Sequence, residues 1–155
     1  MAMELHVLSN RRLSSIAEWQ RAISAQGFPL RLAADVQLAS ANGLLPARLE
    51  GKQTGFELYH DDAKRTVRFL GVGNFNSIWK FALGFRWRGD FSELEAAWMA
   101  ATAYAAATAG IIFDHEEGRI FTPQQARDLV AKFISERPRV KALMEEIERK
   151  FPSKS

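Results

Sequence analysis

At 155 residues, with 47% hydrophobic and 25% charged side chains, the chain has the size and composition of one ordered domain and excludes intrinsic disorder. Its 21 Lys and Arg against 18 Asp and Glu leave a formal charge of only +3. Much of that surplus lies after residue 122, where 8 basic residues face 5 acidic ones, so a strongly electropositive nucleic-acid binder is disfavoured. The absence of cysteine removes a disulfide framework, thiolate metal sites, Fe–S ligation and a cysteine nucleophile.

Met3 to Leu8 alternates loosely and reads as a first strand. Ser15-Ile-Ala-Glu18 is a capping-box pattern, and the helix it opens carries Ile16, Trp19, Ala22 and Ile23 on one face before Gly27 stops it. Phe28–Leu32 reads as a strand, and Asn42-Gly43 marks a turn. Two strands follow at Ala47–Glu50 and Gly55–His60; the second sets Phe56, Leu58 and His60 against Glu57, Tyr59 and Asp61, the pattern of a half-buried strand. Residues 61–76 read as a loop around one short strand.

Ile78–Trp87 is the clearest strand, with Trp79, Phe81, Leu83, Phe85 and Trp87 on one side and Ile78, Lys80, Ala82, Gly84 and Arg86 on the other. Its aromatic side needs a helix to bury it. Asp90-Phe-Ser-Glu93 is a second capping box, opening an alanine-rich helix that runs to about Ala109 with Gly110 as its stop. Ile111–Phe113 and Arg119–Phe121 flank a hairpin turn. Thr122-Pro-Gln-Gln125 starts a helix with Ala126, Leu129, Val130, Phe133 and Ile134 as its stripe. Beyond Pro138 a last amphipathic helix uses Val140, Leu143, Met144, Ile147 and Phe151. This order predicts a single α+β domain over 1–155: a mainly antiparallel twisted sheet against the alanine-rich helix, with a C-terminal extension of two helices over about 122–151.

No motif in the chain brings a catalytic set together. His6, His60 and His115 are far apart in sequence and lack i, i+4 ligand spacing. His60-Asp61-Asp62 and Asp114-His115-Glu116-Glu117 would supply metal ligands only if their loops met in space; otherwise they read as a solvated strand end and a solvated turn. Gly71-Val-Gly73 lacks the third glycine of a dinucleotide fingerprint. Arg86-Trp87-Arg88 places two arginines on one sheet face, where they bridge to neighbours such as Glu57 or Asp61 or touch a partner. On the last helix, Glu145–Arg149 and Glu146–Lys150 have the order of i, i+4 ion pairs, the pattern of a self-neutralised solvated helix.

Three stretches together resemble small bacterial α/β immunity-type proteins encoded beside secreted antibacterial toxins. They are Gly43-Leu-Leu-Pro-Ala-Arg-Leu-Glu-Gly51 running into Thr54–Tyr59, Phe81–Asp90 running into the alanine-rich helix, and Gly110–Asp114 with Gly118. The likeness spans about residues 28–125 and departs from the pattern at Arg88, where a second glycine is expected before Gly89-Asp90. It implies a non-enzymatic inhibitor that binds a cognate protein toxin and blocks its active site. The partner-binding residues expected on that basis are Glu57, Tyr59, Asp61, Asp62, Arg86, Arg88, Glu116 and Glu117, with no catalytic residue, no cofactor and no metal. The start of the chain lacks a charged and then apolar leader, and Ala96–Phe113 is broken by Thr102, Thr108 and Gly110. A cytoplasmic protein with no membrane and no nucleic-acid partner is therefore expected. Two other classes are open on the residues alone: a small metal-dependent hydrolase using the Asp/His/Glu loops, and a nucleic-acid adaptor using the basic C-terminal helices.

Overall fold

A computed structural model of the chain describes residues 3–69 and 79–151. In chain order the elements are β1 (Met3–Ser9), α1 (Ile16–Ala25), β2 (Leu30–Leu32), β3 (Gly43–Leu49), β4 (Lys52–Asp61), α2 (Ala63–Phe69), β5 (Phe81–Trp87), α3 (Phe91–Thr108), β6 (Ile111–Asp114), β7 (Arg119–Phe121), α4 (Pro123–Ser135) and α5 (Arg137–Lys150). A single 3-10 turn at Leu38–Ser40 precedes β3. The strands form one sheet in the order β2-β3-β4-β5-β1-β6-β7, and each pairing is antiparallel. The α+β architecture expected from the residues is the one observed.

One face of the sheet makes the main core. Leu5 and Val7 of β1, Leu45 of β3, Phe56 and Leu58 of β4, Leu83 and Phe85 of β5 and Ile112 of β6 are buried there against α1 and α3. Trp19 of α1 closes the centre: it meets Phe85 and Tyr104 edge-on, and its indole N–H donates to the Ala100 carbonyl at 2.9 Å. Fully burying side chains such as Phe56 and Phe85 contributes roughly 1.5–3 kcal/mol each. Helix α3 lies between the sheet, α1 and α4, so every side of it is covered and Glu95 through Ala105 are all buried. Alanine on all faces suits that position, because a small side chain lets the helix axis lie close to its neighbours. Helix α4 belongs to the same core through Ala126 and Val130, with Phe133 edge-on to Phe91 and Trp98. Helix α5 buries none of its side chains. Among the described residues no helix is long and apolar enough to cross a membrane.

Four local expectations are corrected. Ala63–Phe69 forms a helix in place of a loop and short strand, because the Asp62 carboxylate accepts the Arg65 N–H at 2.8 Å and caps a helical turn; residues 70–76, with Gly71-Val-Gly73, lie outside the described residues. The strand expected to start at Ile78 starts at Phe81. Trp79 therefore packs on the other side of the sheet, with Leu8, Ala63, Ala82 and Val67. The strand expected at Ala47 begins at Gly43 and turns into β4 through Glu50 and Gly51, both at positive φ (53° and 82°), the two-residue turn that matches strand twist. Finally, α3 is stopped by Ala109 in the left-handed conformation (φ 54°), not by Gly110. Gly110 answers a different need: a Cβ there would stand 2.5 Å from the Leu8 carbonyl oxygen.

Candidate functional site

The face of the sheet away from α3 carries a polar cluster whose positions follow from strand alternation and register. In β1, Leu5 and Val7 enter the core, so Glu4 and His6 point the other way. The register sets Glu4 opposite Arg86 of β5, and Arg86 opposite Glu57 of β4. One step along, His6 stands opposite Gly84, and Gly84 opposite Tyr59. On the other flank of β1, His6 pairs with Phe113 of β6, and the His115 backbone N–H donates to the Glu4 carbonyl at 3.2 Å, which places His115 beside Glu4.

The side chains make a continuous chain of contacts across these strands. Asp61 Oδ2 lies 2.7 Å from His6 Nε2, and His6 Nδ1 lies 2.7 Å from His115 Nε2. His115 Nε2 is 3.6 Å from Glu4 Oε1, and the second oxygen of Glu4 accepts from Arg86 Nε. A carboxylate only accepts, so the proton between Asp61 and His6 sits on His6 Nε2. In the neutral ring the Nδ1 lone pair of His6 is then left to accept, and His115 supplies the N–H of the imidazole–imidazole bond. Burial holds the His115 imidazole below its ordinary pKa, which favours its neutral form.

The outer part of the cluster is more exposed. The Arg86 guanidinium lies 5.1 Å from the centre of the Tyr59 ring, and its bond to Glu4 raises its pKa further. Burial, and then the neighbouring Glu57 carboxylate, push the Tyr59 phenol above its ordinary value. Space for the inner part comes from Gly84: a Cβ there would stand 2.9 Å from Asp61 Oδ2 and 3.1 Å from His6 Nε2.

Of the residues expected to bind a partner, Glu57, Tyr59, Asp61 and Arg86 come together on this face. Glu116 and Glu117 follow His115 in the exposed β6–β7 turn, where the Glu116 N–H bonds to Asp114 Oδ1 at 3.0 Å. Asp62 is exposed but occupied as the cap of α2. Arg88 lies beyond the end of β5, its backbone N–H bonded to Glu93 at 3.0 Å. The bridge expected from Arg86 to Glu57 or Asp61 is instead made to Glu4, and Asp61 takes His6. His60, expected on the buried side of its strand with Phe56 and Leu58, is exposed at the strand end and bonds through Nε2 to the Leu38 carbonyl at 2.8 Å. It is His6, not His60, that meets His115.

Glu4 escaped the sequence reading, and His6 enters it only as a histidine without ligand spacing. Their i, i+2 spacing on a strand was the available local signal, since it puts both on one face. Glu4, His6 and His115 each present one donor atom, all within 4.8 Å of one another. Set against known proteins, the chain matches no protein-family model, no curated protein and no solved structure.

Proposed function

We propose that this chain is an immunity-type protein: a non-enzymatic inhibitor, acting in the cytoplasm, that binds a cognate secreted antibacterial toxin and occludes its active site. The observation that carries the reading is the convergence of Glu57, Tyr59, Asp61 and Arg86 on one sheet face, from β4 and β5. Tyrosine and arginine are the residue types that dominate the energetic centre of protein interfaces, and here Arg86 stacks on Tyr59. That stacking and the Glu4 contact hold the pair before binding, which lowers the entropy lost on association. Acidic groups around the pair, with Glu116 and Glu117 in the nearby turn, would steer a basic toxin surface and speed its capture. The choice of a toxin among protein partners rests on the resemblance of residues 28–125 to immunity-type proteins.

The test is to mix the purified chain with the product of the adjacent gene and to co-express the two. Binding and rescue of growth are expected, and Tyr59→Ala should weaken binding by about 30-fold or more, the scale of an interface hot spot. Absence of both binding and rescue would refute the proposal.

A further inference from the structure

We infer that Glu4, His6 and His115 form a binding site for one divalent first-row transition-metal ion, Zn²⁺ foremost, with Asp61 orienting His6 from behind. The site shares Glu4 and Asp61 with the face that the toxin-binding reading uses, but metal binding is measured on the chain alone and is tested separately from it.

Two imidazoles and one carboxylate are the donor set of three-ligand zinc sites, which leave a further position open. Here the three come from the interior strand β1 and from the residue that follows β6, its immediate neighbour in the sheet, so paired backbone holds them and no long loop has to fold over. Glu4 and His6 are two residues apart on one strand face, and His115 is brought beside them from 109 residues away.

The polarity of the cluster suits a cation. Asp61, which can only accept, keeps the proton on His6 Nε2 and leaves the Nδ1 lone pair facing His115. A carboxylate behind a histidine is the usual device that fixes tautomer and ring orientation at metal sites. Arg86 holds one oxygen of Glu4 and leaves the other directed toward His115, at 3.6 Å. The approach of Asp61 to His6 uses the space at Gly84, where a Cβ would stand 2.9 Å from the Asp61 oxygen and crowd the His6 ring at 3.1 Å.

Little movement is needed to accommodate an ion. Two nitrogens at zinc-bond length in a tetrahedral site stand about 3.3 Å apart. The His6 Nδ1 to His115 Nε2 separation is 2.7 Å, so the rings part by roughly half an ångström as the shared proton leaves and His115 changes tautomer. Its other nitrogen then carries the hydrogen, and the proton between the rings need only be redistributed.

The full chain, freed of metal by a chelator, would be titrated with Zn²⁺ by calorimetry and with Co²⁺ by visible absorption. One Zn²⁺ per chain is expected, with Co²⁺ d–d bands of a four- or five-coordinate site. Asp61→Asn should weaken Zn²⁺ binding by about 10–100-fold, the cost of losing an outer partner. His115→Gln, a change at a half-buried position next to a turn, should weaken it by about 100-fold or more while circular dichroism stays native. Failure of the unaltered chain to bind stoichiometrically at about 100 μM Zn²⁺, a concentration far above the dissociation constant of a built site, would overturn the inference. So would binding that persists in a natively folded His6→Asn, His115→Gln double variant.

Discussion

At position 84 the sheet has room for a hydrogen bond between two other residues and none for a methyl group. His6 and Asp61 meet across Gly84, whose absent Cβ would lie 2.9 Å from the aspartate oxygen. Gly84→Ala should therefore cost roughly 1–3 kcal/mol, the range for overpacking, and displace the His6 imidazole. Chemical denaturation and the imidazole N–H signals of His6 would report the two effects. Gly89→Ala, at a position with nothing within 4 Å of the added carbon, should change neither. This part of the site was only half legible beforehand. That Glu4 and His6 share a face follows from strand spacing, and so does the outward direction of Glu57, Tyr59, Asp61 and Arg86. That His115 and Asp61 both reach His6 does not follow, because it depends on which strands neighbour β1, and order in a sheet is decided by long-range packing.

The elements show where local chemistry determines structure and where it only narrows it. Thr122 and Gln125 form the complete reciprocal cap that their spacing calls for. Ser15 and Asp90 also cap their helices, but Glu18 and Glu93 reach farther back, to the N–H groups of Ser14 and Arg88. A carboxylate satisfies whichever free donor the incoming chain presents, and that depends on the direction of entry. The end of α3 follows the same rule. Ala109 adopts the left-handed conformation that favours glycine, while the adjacent Gly110 is needed for its lack of a side chain against Leu8. Ala109→Gly should raise stability by about 0.5–1 kcal/mol, the left-handed penalty less the added entropy of the unfolded chain. Gly110→Ala should lower it by at least about 1 kcal/mol, since the obstruction is backbone and cannot turn aside. Urea denaturation of the two variants would show opposite shifts; shifts of the same sign would contradict this account of the two positions.

Across the molecule, one arginine joins the last helix to the rest. Arg137 donates from Nε to both oxygens of Glu95, at 2.9 and 2.8 Å, and from Nη1 to Glu50 at 3.0 Å. Glu95 is buried to 3% exposure in α3, so its charge relies on this partner. Arg137→Met should cost about 3 kcal/mol, measured by urea denaturation, and should speed hydrogen exchange in α5. A loss below about 0.5 kcal/mol would mean that Glu95 does not depend on Arg137. The rest of α5 gains little from the core: Leu143, Met144, Ile147 and Phe151 are 48–75% exposed along one side. The expected ion pair between Glu146 and Lys150 does form, at 3.3 Å.

Periodicity, caps and turn residues were enough to determine the seven strands of the sheet apart from their exact ends, the alanine-rich helix beneath it, the starts of α1, α3 and α4 and the polar side of β4. These depend on neighbours within a few residues, where geometry has period two or 3.6. Tertiary structure alone decided two things. It put Trp79 on the opposite face from Phe85, and gathered Glu4, His6, Asp61 and His115 into one cluster. Each depends on which distant strand lies alongside, and the chain settles that through the joint burial of the whole core, which no window of adjacent residues records.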